Sequence, residues 1–442
     1  MTDISAATLV IDGARIVDGT GAPAVPDGRV VIAGERIAAA GPRASVPLPL
    51  NAEVLDASGR TLLPGLIDVH VHDASDANME LYVRRGVTAI RFAGGQQRAL
   101  LELRGRIQRG EIPGPRVFSC GHALDATPHA WPGSYAVDTP NEARRVVRRA
   151  VEEERVDAIL ATHRVTFPIL RAIVETAHEL GVPVTGQTWQ ADAHDAAAAG
   201  MDGLDNTSRI PEHPSFPPER LFARHTVSGR LATLAALWDA SEPSRLRDIA
   251  GLLAERGVAV APELVSFEAW AGIGRDEVSS DPDWPAAPDD ERVEQYDRHN
   301  AYIASEWTAE DRATQARAID RYKTFLRAFL SAGGVIAAGT DLGFGGIVLQ
   351  REIAHFVDAG LTPLQAIRTA TRAAASFLGR DDLGHVAAGR TADLVLVEGD
   401  PATDVSALRS VERTIIGGRT VWQRPERQAP PSPAAVRAGV AR

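Results

Sequence analysis

The 442 residues carry a net charge of -11, are 44% hydrophobic and include one cysteine, Cys120. That balance leaves no clustered basic footprint for nucleic acid or an anionic membrane surface, and a lone cysteine excludes an intramolecular disulfide or a thiolate metal cluster. No stretch reaches about 18 unbroken apolar residues, and no basic segment precedes an apolar one at the N-terminus, so a cytoplasmic protein with a small-molecule partner is expected. Self-association into a homo-oligomer stays open.

In chain order, residues 8–11, 29–32, 36–40 and 53–55 read as short strands between Asp-Gly, Gly-Glu and proline-rich turns. Such strands cannot bury both faces alone. Matching patterns at 393–397 and 414–421 lie at the other end of the chain, so residues 1–61 and 385–423 are expected to build one small discontinuous β-sandwich. Between them, apolar strand runs fall at 66–72, 87–92, 116–119, 156–161, 182–187, 203–206, 258–264 and 335–340, with helical periodicity clearest at 141–154, 167–180, 245–256 and 313–332. Thr362-Pro-Leu-Gln365 is a capping box that opens a further helix. Alternating strands and helices over 62–384 predict an α/β fold, a (β/α)8 TIM barrel. Residues 265–312 are too long for an ordinary strand-to-helix loop and carry Phe267, Trp270, Trp284, Tyr296, Tyr302 and Trp307. They read as a lid over the barrel mouth, or as an extra helical pair on its wall. Residues 424–442 read as a disordered tail.

The chemistry concentrates in Leu62-Leu-Pro-Gly-Leu-Ile-Asp-Val-His-Val-His72. In a regular strand residues i and i+2 share a face, so His70 and His72 converge while Val69 and Val71 point the other way. An isolated His-x-His is more often a hydrogen-bonded core pair; the Pro64-Gly65 turn and the barrel context argue for a site. The stretch 64–72 resembles the first-strand metal motif of the amidohydrolase superfamily, in its imidazolonepropionase-like and prolidase-like branch. Ala338-Gly-Thr-Asp341 is similar to that family's last-strand aspartate motif, and Gly389-Arg-Thr-Ala-Asp-Leu-Val-Leu-Val397 to the strand that returns to a small flanking domain.

The resemblance implies a metal-dependent hydrolase with a binuclear centre, completed by a lysine or glutamate on strand four and histidines on strands five and six. Here Leu160, Gln187 and Asn206 stand at those positions. Leucine has no donor atom, and amides are weak neutral ligands suited to a polar substrate. His70, His72 and Asp341 remain as the catalytic group. The leading expectation is a metal-free site doing acid and base work for cyclisation, isomerisation or elimination, on a small substrate with an apolar part. The alternative is one zinc, iron or manganese ion on the same three residues, hydrolysing a C–N or ester bond. A barrel that only binds a small ligand is the third reading. Gln187, Asn206, His163, Trp189, His122, Glu263 and Trp270 are the expected substrate-binding residues, with His163 and His194 placed in loops.

Overall fold

A computed structural model describes residues 4–425 apart from 132, 207, 225, 274–275, 277–279, 282–299 and 343–345. The strands are β1 (Leu9–Ile16), β2 (Val25–Ala33), β3 (Arg36–Pro42), β4 (Glu53–Asp56), β5 (Arg60–Pro64), β6 (Leu66–Val71), β7 (Val87–Phe92), β8 (Arg116–Ser119), β9 (Leu124–Asp125), β10 (Tyr135–Ala136), β11 (Ile159–His163), β12 (Val184–Thr188), β13 (Gly203–Asp205), β14 (Ala259–Ala261), β15 (Leu394–Glu398), β16 (Val411–Ile416) and β17 (Arg419–Gln423).

Both ends of the chain meet in one sheet, ordered β17-β16-β15-β5-β1-β2-β3, with β4 also beside β1. Alternation explains its two layers: Leu9 and Ile11 of β1 pack with Leu394 and Leu396, whereas Val10 packs with Val31 and Val46 on the opposite side. Val395, Val397 and Val411 instead join the large core of the barrel. The small domain is thereby seated on the barrel through the odd residues of β15.

The barrel consists of β6-β7-β8 and β11-β12-β13-β14, all parallel, closed by residues 335–341. That eighth segment pairs with β14 through Val260, whose N–H donates to Val335 O and whose carbonyl accepts from Ala337 N, both at 2.9 Å. On its other side Val69 N donates to Ala338 O at 3.0 Å and Asp341 N to His70 O at 2.9 Å. Between β8 and β11 the link is Asp157 N donating to Ser119 O at 2.8 Å. The chain thus folds as a (β/α)8 TIM barrel with a small β-sandwich. Among the described residues no helix is long and apolar enough to cross a membrane.

One local expectation changes. The fourth strand runs on to His163 because Thr162 and His163 pair with Gln187 and Thr188 of β12, so His163 ends a strand rather than lying in a loop. The described parts of 265–312 begin beside the helix Leu264–Ala271 and are mixed in burial, with Tyr302 and Ile273 exposed. Phe267, Trp270 and Trp307 are buried in the main core, and the Trp307 indole N–H donates to Ser228 O at 2.9 Å. Trp284 and Tyr296 lie outside the described residues, as does the expected tail beyond Pro425.

Candidate active site

The first strand does not alternate as its sequence predicts. A register shift against β7 falls between Asp68 and Val71, and such a bulge places two successive side chains on one side. Val69 packs on the barrel floor with Ile67, Ala89, Ala261 and Ala337, and His70 enters the lumen directly above it. Asp68 faces outward, where it accepts from Thr340 Oγ1 at 2.8 Å and from His70 N at 3.2 Å. The eighth segment comes so close that a Cβ on Gly339 would sit 3.0 Å from His70 Cβ and 3.2 Å from Glu263 Cγ. The glycine of Ala338-Gly-Thr-Asp341 is what permits this approach.

His70, His72 and Asp341 come together. His70 Nε2 lies 3.2 Å from His72 Nε2 and 3.5 Å from Asp341 Oδ1, and His72 Nε2 lies 2.8 Å from the same carboxylate oxygen. His70 is buried, while the His72 side chain is 46% exposed and opens to the cavity. Asp341 holds φ at 52°, a left-handed conformation that costs a non-glycine residue about 1–3 kcal/mol. Its other oxygen accepts from Asn206 Nδ2 at 3.0 Å. Asn206 also donates to Ser266 Oγ at 3.2 Å and accepts from Gln187 Nε2 at 3.1 Å. The two amides at strands five and six therefore brace the aspartate.

A buried shell of charge lies behind His70. Its Nδ1 sits 2.9 Å from Glu263 Oε1 and 3.7 Å from Asp205 Oδ1. Among the described residues neither Glu263 oxygen has a hydrogen-bond partner. Arg91, also buried, donates to Asp205 Oδ1 at 3.0 Å and to Val69 O and Thr185 Oγ1. Burial opposes charge on Asp205, yet Arg91 and His70 outweigh it and hold the carboxylate below its ordinary range. Burial pushes Glu263 well up. Burial likewise opposes charge on His70, but Glu263 and Asp205 prevail and raise it. Glu263, expected to touch substrate, is fully enclosed behind His70 at φ 53°, where it caps the helix Leu264–Ala271. Glu352 fixes that turn, accepting from Leu264 N at 3.0 Å and Val265 N at 2.9 Å.

In front of the group is a cavity of 480 Å³ lined by His72, Asp341, Gln187, Leu160, His163, Trp189, His122, Trp131, Trp270 and Arg230, among others. His163 stacks edge-on against Trp189 at 4.2 Å. Burial, with Arg230 and Arg164 nearby, drops its pKa to about 3, so the ring is neutral. His122 is fixed by Gly133 O, 2.8 Å from its Nδ1. His194 pairs with Glu212 at 3.0 Å and is absent from this lining. Asn206 is fully enclosed and is hydrogen-bonded to the cavity-lining Gln187 and Asp341. Arg91, Asp205 and Arg230 were not singled out from the sequence. The available signal for the first was a charge inside the otherwise apolar run Val87-Thr-Ala-Ile-Arg-Phe92.

A model of the Amidohydrolase family matches residues 61–421. Adenine deaminase 3 of Rhizobium meliloti (strain 1021) is 27% identical over 422 residues, covering 95% of this chain but 58% of that protein, so the chain spans less than two thirds of this relative. Imidazolonepropionase of Streptomyces griseus is 26% identical over 419 residues, 89% of this chain and 91% of that one. Among solved structures, A. niger ochratoxinase superposes with a TM-score of 0.68 at 19% identity, covering 96% of this chain and 97% of that one. A Xaa-Pro dipeptidase with bound methionine gives 0.67 at 21% identity, over 94% and 100%. These two structures bear on the fold alone. With a match that runs from β5 into β17, across a barrel whose first and last strands converge on one group of two histidines and an aspartate, the chain belongs to the amidohydrolase family.

Proposed function

We propose that this family member hydrolyses a C–N or ester bond in a small organic substrate, using one divalent ion held by His70, His72 and Asp341. The carrying observation is the convergence of His70 Nε2, His72 Nε2 and Asp341 Oδ1 at 2.8 to 3.5 Å. Ligand atoms around a four-coordinate ion with bonds of about 2.0–2.2 Å stand about 3.3 Å apart, so the donor set fits one ion. It does not fit two. Leu160 supplies no donor on strand four, and Gln187 and Asn206 satisfy each other and Asp341. When bound, the ion would polarise the scissile carbonyl and acidify water.

The protein's own groups do the rest. Asp205 and Glu263 stand behind the His70 ring, 3.7 and 2.9 Å from its Nδ1, where outer carboxylates stand behind ligating histidines. Asn206 orients Asp341 so that one oxygen stays directed at the histidines and is placed to take a proton. A deaminase among the relatives supports a C–N bond as the target. The acidic balance supports a small-molecule partner over nucleic acid.

A metal-free reading draws on the 2.8 Å contact of His72 with Asp341, an acid-base pair suited to cyclisation or isomerisation. Elemental analysis of the full chain, purified without chelator, separates the two. The expected result is about one zinc, iron or manganese ion per chain, lost in H72A and D341N. A protein that holds no metal and still turns over its substrate would overturn the hydrolytic reading.

A further inference from the structure

Behind the His70 ring, on the side away from His72, lies a second set of donor atoms. His70, Asp205 and Glu263 come from β6, β13 and the turn after β14, are each 1% exposed or less, and present one donor atom apiece within 4.8 Å of the others. Glu263 Oε1 stands 2.9 Å and Asp205 Oδ1 3.7 Å from His70 Nδ1. These distances lie either side of the separation of about 3.3 Å between donors around a four-coordinate ion with bonds of about 2.0–2.2 Å. We propose that this cluster is a second, enclosed zinc site, with His70 bridging a front ion on Nε2 and a rear ion on Nδ1. It goes beyond the hydrolytic reading and shares only His70 with it; positions 160, 187 and 206 contribute no donor to it.

Two observations point to an occupant. First, Glu263 Oε2 and Asp205 Oδ2 are enclosed and, among the described residues, have no hydrogen-bond partner. The wholly buried Tyr322 hydroxyl is a third such group. Burial first, then Glu263, Glu352 and Asp205, push its pKa up, so it lies in the field of the same carboxylates. Buried polar atoms are almost always paired, and three orphans around one place mark a missing partner. Second, the charge does not balance. With His70 neutral, as a ligand of the front ion must be, the cation that reaches the two carboxylates is Arg91, 3.0 Å from Asp205 Oδ1. One buried negative charge is left over, and a cation compensates it where a water would not. Two carboxylates and an imidazole nitrogen are zinc donors, and loading sends the Nδ1 proton to solvent. Arg91 competes for Asp205, so the rear site is the weaker one and fills in excess zinc.

The test counts zinc by elemental analysis after equilibrium dialysis of the full chain against excess Zn2+. The unaltered chain is expected to take up one equivalent beyond what it holds as purified. H72A/D341N removes two front donors and no rear one, so it should keep one equivalent. Adding E263Q to it should remove that equivalent while the circular dichroism spectrum stays unchanged. An H72A/D341N chain that holds no zinc would overturn the proposal whether or not E263Q folds, and would mean that a proton on Glu263 stands in for the ion. An equivalent that survives E263Q would overturn it too, because that zinc sits on an adventitious surface site. The two readings fail separately: without a front ion, H72A/D341N and the unaltered chain hold the same single equivalent, and without a rear ion the zinc is lost in H72A and kept in E263Q.

Discussion

Replacing Arg91 with methionine probes the buried charge that backs the site. Arg91 and Asp205 are 1% and 0% exposed and 3.0 Å apart. Methionine fills much of the arginine's volume but leaves Asp205 in the barrel interior without its cation. Breaking a buried pair by removing one partner costs about 3–5 kcal/mol, because the remaining charge is neither solvated nor paired. The loss of the guanidinium over the Phe377 ring, 5.1 Å away, adds roughly 0.5–1 kcal/mol. R91M is therefore expected to lose about 5 kcal/mol. D205N in the same chain removes the stranded charge, so R91M/D205N should recover at least about 2 kcal/mol relative to the sum of the single losses. Urea unfolding followed by tryptophan fluorescence, with slopes checked for equality, measures all four corners of the cycle. A single R91M loss below about 1 kcal/mol, or an additive double variant, would refute the claim that this pair is a unit.

His163 predicts an acid limb in stability. Its folded pKa of about 3 lies below the ordinary 6.5, so below pH 6.5 the unfolded chain takes up a proton that the folded one refuses. Stability falls by about 1.4 kcal/mol per pH unit, or about 2 kcal/mol by pH 5, and H163N should flatten that part of the profile in denaturant titrations. Gly186→Ala would place a Cβ 1.9 Å from Ala161 O, a backbone clash expected to lower the yield of folded protein severely in a solubility assay. Trp307→Ala should cost about 3–5 kcal/mol by the same unfolding measurement, since this side chain is core rather than lid; a loss under about 1 kcal/mol would restore the lid reading for it. L160K/Q187H/N206H should raise metal content above that of the parent, and unchanged content would show that these strand ends do not supply donors to the site.

The chain order of strands and helices was legible because each barrel strand is a short apolar run and each helix carries its own stripe and cap, both local properties. The histidines and Asp341 were legible for the same reason: each ends a strand, and strand ends of a parallel barrel converge. What the sequence could not carry was anything decided by a neighbouring strand. The bulge in β6 turns both Val69 and His70 inward, against strict alternation, because pairing with β7 shifts register there. His163 lies in a strand because β12 extends alongside it. Asp205 and Arg91 are 114 residues apart and become partners only across the closed barrel. Asn206 and Gln187, read as replacements for metal ligands, brace Asp341 over a separation of 135 residues from Asn206. Residue type and spacing thus determined which groups reach the lumen, and barrel closure decided which of them touch. Ligand convergence, buried charge pairing and the polarity of the cavity are all long-range contacts, and a linear pattern of residues holds no distance between strands.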